Sequence, residues 1–422
     1  MRSRKSPSAS GTHKGLLAHG IFNLKPSEQQ LEPRDTERIN TEFVPFGQNG
    51  SNLFPQELAI KFRRSSTHHS IIKSKVNYFV GDGWLFDSET PLAKYVKVAN
   101  PDKEPLIEVV KRVAQDFFLS GNGYIQVVRN KGALALSHLD YTTVRVAKTK
   151  ENEPKGFRVS KIWEKGSQAK GKFIPEFVSG GTDKVSIVHI KEYSPNMFFY
   201  GLPDYLAALP WIDIEYRIPK YNIGKFKNDF TVSAILDMYA TGMNESEAAD
   251  KVEDIKRHFT NQEDDGENNS KLWVNIFEDG NSKTTLTKMV DGNEGNFMQL
   301  QNLAVQNIIT AHRTTASLCG IKTAGQIGSN QQIRNEFEIF YNTVIKPVQN
   351  KILSAFDTIL SELNFGEQLK ISTPIPISFM TDLTASELLT VNEQRRILGF
   401  KDIDGGDTLP AAKPSINIQP TP

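Results

Sequence analysis

The densest run of acids in this 422-residue chain is Glu263-Asp264-Asp265, with Glu267 one glycine further on. Clustered carboxylates are what a metal-dependent phosphoester hydrolase or a general acid–base pair requires. These stand among Gly and Asn with neither a His nor a nearby basic partner, and they read as a solvated loop. His68-His69 invites a metal reading, but adjacent residues on a helix point about 100° apart, and no Cys or carboxylate cluster supports them. Gly121-Asn122-Gly123 suggests a phosphate loop, yet it lacks the later Gly and Lys and runs into a strand, Tyr124–Arg129, instead of a helix. The remaining chemistry is non-catalytic. The stretch Ile321–Gln331 carries one cation, Lys322, several amides (Gln326, Asn330 and Gln331) and the flexible Gly325 and Gly328. A lysine can meet a phosphate as a point charge, and amides can bond to it without reading sequence.

Bulk composition narrows the classes further. Net charge is +1, with 38% hydrophobic and 23% charged residues, ordinary for a soluble chain of two or three core-forming units. A generally basic nucleic-acid binder is excluded, so any DNA contact must come from local placement of charge. Cys319 is the one cysteine, which excludes an internal disulfide framework, and the longest apolar runs fall far short of a membrane span. No cofactor motif is present, so no cofactor is expected. The first residues hold Arg2, Arg4, Lys5 and Lys14 without an acid and read as a disordered basic arm over 1–30.

The elements that must position these residues follow from spacing. Helical repeats occupy 55–79 and Leu106–Leu119, and a hairpin follows over Tyr124–Leu139. Strands with charged turns continue to Ile190, and Pro203 then opens a helix whose stripe is Leu206, Leu209, Ile212 and Tyr216. A strand over Val232–Tyr239 precedes a helix over Glu245–Phe259, capped by Asn244 with Glu247. Lys271–Phe277 and Thr284–Val290 read as a hairpin about the Glu278-Asp279-Gly280-Asn281 turn. A helix over Asn293–Leu318 has one apolar side and one side of amides, Gln299, Gln301, Asn302, Gln306 and Asn307. The last long helix, Gln331–Leu363, contains Pro347, which should kink or break it. Strands over Leu369–Phe379 and a helix over Thr384–Leu398 end the ordered reading.

In this order the motifs resemble the portal proteins of tailed bacteriophages, the head–tail connectors of siphophage and lambdoid type. Tyr200, Gly201, Pro203, Phe226, Asn228, Asp229 and Phe230 match the entry to and exit from a stem helix. Gly121-Asn122-Gly123-Tyr124-Ile125 matches the wing. Ala316, Gly320, Ile321, Gly328, Ser329, Asn330 and Gln332 match the tunnel loop, with Lys322 where the family usually has proline. Asn392-Glu393-Gln394-Arg395 and Gly405-Gly406-Asp407 match its ending, and the resemblance covers about residues 110 to 410.

The fold implied is α+β, a portal fold: an α/β wing (31–203, with return strands over 364–383), stem helices at 204–232 and 292–318, and a small α/β clip at 233–291. A tunnel loop (319–331), a long kinked helix (332–363), a crown-like C-terminal helix (384–410) and a disordered tail (411–422) complete it. The resemblance implies a subunit of a cyclic homo-oligomeric ring of roughly a dozen copies around double-stranded DNA. It also implies a place in the virion at the capsid portal vertex, assembly in the host cytoplasm and no catalysis. Its partners would be the terminase large subunit, a head-completion adaptor and the major capsid protein. Lys322, Gln326, Asn330 and Gln331 would meet DNA in the channel, and Glu263, Asp264, Asp265 and Glu267 would meet terminase or adaptor. The competing classes are another ring or shell protein of a virion and a nucleic-acid-processing enzyme.

Overall fold

The computed structural model describes residues 16–20, 42–47, 51–85, 90–130, 132–148, 155–163, 171–228, 234–240, 242–259, 272–278, 284–288, 294–321, 330–373, 390–397 and 401–407. They fall into two units, Met1–Ser372 and Thr373–Pro422.

The first unit begins with strand β1, Leu16–Gly20. This corrects the reading of 1–30 as a solvated arm at those residues. β1 pairs antiparallel with a strand at Leu272–Glu278, whose edge N–H and C=O groups need partners. Helices α1 (Phe54–Arg64) and α2 (Ser66–Val80) share the break at Ser65, whose side chain caps α2 by accepting from His68 N. A short α3 (Pro91–Tyr95) leads to α4 (Leu106–Ser120), which ends on Gly121 in the left-handed region at φ 72°. Its Val109, Val110, Val113 and Phe117 are buried on the face that the spacing predicts.

β2 (Asn122–Asn130) lies between β3 (Ala133–Leu139) and a later strand β7 in an antiparallel sheet. β4 (Val144–Val146), β5 (Gly156–Val159) and β6 (Lys172–Pro175) form a second small sheet, and β7 spans Val185–Lys191. These elements share one large apolar core with α1, α2 and α4.

A single 3-10 turn, Leu206–Ala208, precedes α5, Leu209–Asn228, so the helix begins later than Pro203 suggests. β8 (Ala234–Ala240), α6 (Glu245–Phe259), β9 (Leu272–Glu278) and β10 (Thr285–Lys288) follow. α6 coincides with the predicted range, and its cap is reciprocal. Glu247 N donates to Asn244 Oδ1 at 2.9 Å, and Asn244 N donates to Glu247 Oε2 at 3.1 Å. The predicted β9–β10 hairpin does not form. The sheet order is β1-β9-β8-β10: β8 and β9 run parallel with α6 as their crossover, and β10 pairs antiparallel with β8. A parallel pair needs a long crossover, which α6 supplies, and β10 then takes the free edge of β8. This subdomain has its own core of Ala248, Val252, Val274 and Ile276.

α7 spans Glu294–Ala311, about 27 Å at the helical rise, and is shorter than the predicted run to Leu318. Arg313 turns into the left-handed region at φ 56° and ends it, and a 3-10 turn at Ser317–Cys319 follows. Tyr221 late in α5 stacks on Phe297 early in α7, with centroids 4.8 Å apart, so the two helices run antiparallel. α8 (Asn330–Phe340) and α9 (Lys346–Leu360) are joined by a π-helical turn at Tyr341–Ile345, just before Pro347. Proline therefore shifts the register and leaves the helix continuous. In the return segment Ile371 bridges Trp84, and residues 374–380 lie outside the described part. In the second unit, α10 spans Val391–Ile397, and Asn392 binds the turn after it through Ile403 N and O.

Candidate functional site

The glycine motifs that invited a phosphate reading are a structural joint. Asn122 donates from Nδ2 to Gly201 O at 2.9 Å, while its Oδ1 accepts Gly201 N at 2.8 Å. Glu192 N donates to Gly121 O at 2.8 Å. A Cβ at Gly121 would collide with the backbone of Leu202, and one at Gly201 would collide with Gly121 O. The two glycines exist so that these backbones can touch. Next to them Tyr200 donates to Val44 O at 2.6 Å and accepts Val146 N at 2.9 Å.

This joint aims α5. Tyr205 donates to Leu119 O at 2.5 Å, using a carbonyl that the end of α4 leaves free. One turn into α5, Asp213 pairs with Lys61 of α1. The buried Glu215 accepts from Ser65 Oγ, Ser66 Oγ (2.8 Å), Thr67 N (3.1 Å) and Thr67 Oγ1 (2.8 Å), so a carboxylate of α5 caps the N-terminus of α2.

The end of α7 returns to the same place. His312 and His68 are both fully buried, with His68 Nδ1 2.9 Å from His312 Nε2, and Tyr205 stacks on the His312 ring and packs at a tilt of 51° against that of His68. Burial, reinforced by nearby Lys75, pulls His68 down to about 3 and holds His312 well below the imidazole range. The pair is neutral and serves as packing. Among the described residues no group of three or more His, Cys, Asp and Glu could hold a metal.

Two antiparallel helices thus leave one hydrogen-bonded base and carry the β8–α6–β9–β10 subdomain at their far end. On α7 Gln299, Gln301, Asn302 and Gln306 are exposed and Asn307 is half-buried, while Ala304 and Ile308 face inward. On α6 Glu245, Glu247, Asp250, Glu253 and Asp254 are all exposed. Asn330 and Gln331 open α8, and Gln331 Nε2 donates to Asn335 Oδ1 at 3.0 Å. Lys322 and Gln326, like Glu263, Asp264, Asp265 and Glu267, lie outside the described residues. Beyond that stretch Glu336 of α8 accepts from Thr315 Oγ1 (2.8 Å) and Ser317 Oγ (2.5 Å). Burial pushes its carboxyl upward, but these bonds and one from Gln332 hold it below the usual range.

Sequence reasoning missed Glu215, His312, Arg313 and Glu336. The first two carry a legible signal: each continues an apolar stripe, Ile212–Glu215 and Ile308–His312, where a polar side chain must find a buried partner.

The family described as Phage portal protein matches residues 81–399. A probable portal protein of Haemophilus phage HP1 (strain HP1c1) is 27% identical over 192 residues, 45% of this chain and 52% of that protein. The chain spans about half the length of the curated relatives it matches. Among solved structures, a chain of the virion of a native gene transfer agent particle aligns over 83% of this chain and 94% of its own, at 16% identity and a TM-score of 0.50. A chain from the neck of an empty gene transfer agent particle covers the same shares at 17% identity and a TM-score of 0.51. The likeness to both is one of fold.

Proposed function

Because the chain belongs to the phage portal protein family, we propose that copies of it close into a ring at one vertex of a capsid and conduct double-stranded DNA during packaging and ejection. The observation that carries this is the family match across 81–399, which takes in α5, the β8–α6–β9–β10 subdomain and α7. The exposed amides of α7 suit a wall past which DNA slides, because neutral groups bond to phosphates without the counterion release that would hold it fast. A net charge of +1 agrees with such a wall. The ring assembles in the host cytoplasm, joins the major capsid protein and performs no turnover itself.

Lys322, Gln326, Asn330 and Gln331 would meet the DNA. A contact of roughly 1 kcal/mol per phosphate matters when a ring repeats it. Negative-stain images of the purified protein should show rings with a central hole. Lys322→Glu should leave those rings intact and reduce packaged DNA or its retention. Images without rings would sink the portal reading, and normal packaging by the variant would sink the role of Lys322.

The acidic face of α6, with Glu263, Asp264, Asp265 and Glu267 beyond it, would dock the basic surface of a terminase large subunit and later of a head-completion adaptor. Replacing those last four by Ser should weaken terminase binding about tenfold at low salt and less at high salt. Binding unchanged at every salt concentration would remove this loop from the interface.

A further inference from the structure

Arg313 has no part in the reading above, yet it stands where three helices meet. It stands two residues beyond the end of α7 with φ 56°, a conformation that costs a non-glycine residue free energy and persists where the surroundings enforce it. Its Nη2 donates to Thr343 O at 3.1 Å, and its Nη1 lies 3.9 Å from Asp204 Oδ2, just before α5. Thr343 belongs to the π turn between α8 and α9. In an uninterrupted α-helix its carbonyl would accept the N–H of residue 347, and residue 347 is proline. The turn adopts the wider register, with Lys346 N donating to Tyr341 O. Thr343 Oγ1 also donates back to Ile339 O at 2.7 Å, a bond that bends helices.

We infer that Arg313 is a positioning residue, its guanidinium taking the carbonyl that Pro347 deprives of its helical donor and so holding the angle between α8 and α9. The clasp of Glu336 with Thr315 and Ser317 ties α8 to the segment after α7, so the π turn is the joint about which that body is set against α9. Asp204 extends the tie to the start of α5. In a portal, and resting on that reading, the joint would set how far the start of α8 stands from the DNA.

Amide hydrogen exchange over Tyr341–Ile345 in the full-length chain tests this, comparing wild type, Arg313→Ala, Arg313→Lys, Pro347→Ala and the double variant Arg313→Ala/Pro347→Ala. Loss of Arg313 should speed exchange about fivefold, the factor corresponding to one net hydrogen bond. Lysine, without the planar fork, should recover only part of it. With proline gone, position 347 regains an N–H for Thr343, and removing Arg313 should then change exchange by less than about twofold, the signature of coupling through one shared group. No acceleration in Arg313→Ala, or equal acceleration in both backgrounds, would overturn the inference. Absence of rings from the wild-type protein would sink the portal reading and leave the exchange result standing.

Discussion

Replacing Arg145 by alanine should destabilise the folded chain by about 3–5 kcal/mol. Arg145 is fully buried in β4, and burial lowers its guanidinium to about 10. The hydrogen bonds that hold it run to neutral groups. Nε donates to Asn52 Oδ1 (2.7 Å), Nη2 to Asn52 O (2.7 Å) and Gln56 Oε1 (3.1 Å), and Nη1 to Val144 O (2.8 Å) and Thr142 O (3.2 Å). Trp163 covers it, with the guanidinium carbon 5.1 Å from the ring centroid. The cation is solvated by the chain, and it locks the turn before α1, where Asn52 holds φ 58°, onto the second sheet. Alanine would leave a cavity and several buried acceptors without donors. Methionine fills the volume and supplies no donor, so it should recover at most half of the loss. Denaturant midpoints of the three proteins decide this. A methionine variant as stable as wild type would mean that volume, and not hydrogen bonding, is what Arg145 contributes.

The second large effect is acid sensitivity at the base of the stem. His68 and His312 are pulled below the ordinary imidazole value by burial, and Lys75 adds repulsion. Their folded values lie below the unfolded ones, so the unfolded chain binds protons that the folded chain refuses. Stability is therefore full above about pH 6.5 and falls as pH drops toward about 3, the folded value of His68. His68 costs up to about 1.4 kcal/mol per pH unit in that window, or about 3 kcal/mol at pH 4.5, and His312 adds a cost of the same sign. Asp116 works in the opposite sense, since burial raises its carboxyl despite the bond to His138. The double variant His68→Gln/His312→Gln isolates the pair and should flatten the fall in denaturant midpoint between pH 7 and 4.5. An unchanged slope would place the acid sensitivity elsewhere.

Much of the architecture was legible in the amino-acid sequence because it is written in local terms. Apolar spacing places α4 and α6, and Asn244 with Glu247 announces the start of α6, since a capping box is complete within four residues. Pro347 marks a discontinuity wherever the helix lies. The order of motifs from Gly121 to Asp407 identifies the family without any contact being known. For the candidate site, Asn330 and Gln331 were placed at the start of a helix, while Lys322, Gln326 and the acidic loop remain readings of the sequence.

Tertiary structure alone decided the rest. A turn as strong as Glu278-Asp279-Gly280-Asn281 predicts a hairpin, but the β9 edge is filled by β8 and β1, so β10 joins β8. That Asn122 meets Gly201, that Glu215 caps α2, and that His312 faces His68 are pairings across 79, 148 to 150 and 244 residues. No periodicity encodes such partners. A helical pattern specifies which side of an element is buried, and only the packed chain specifies what that side is buried against, because a buried polar group is stabilised by whichever partner the fold delivers to it.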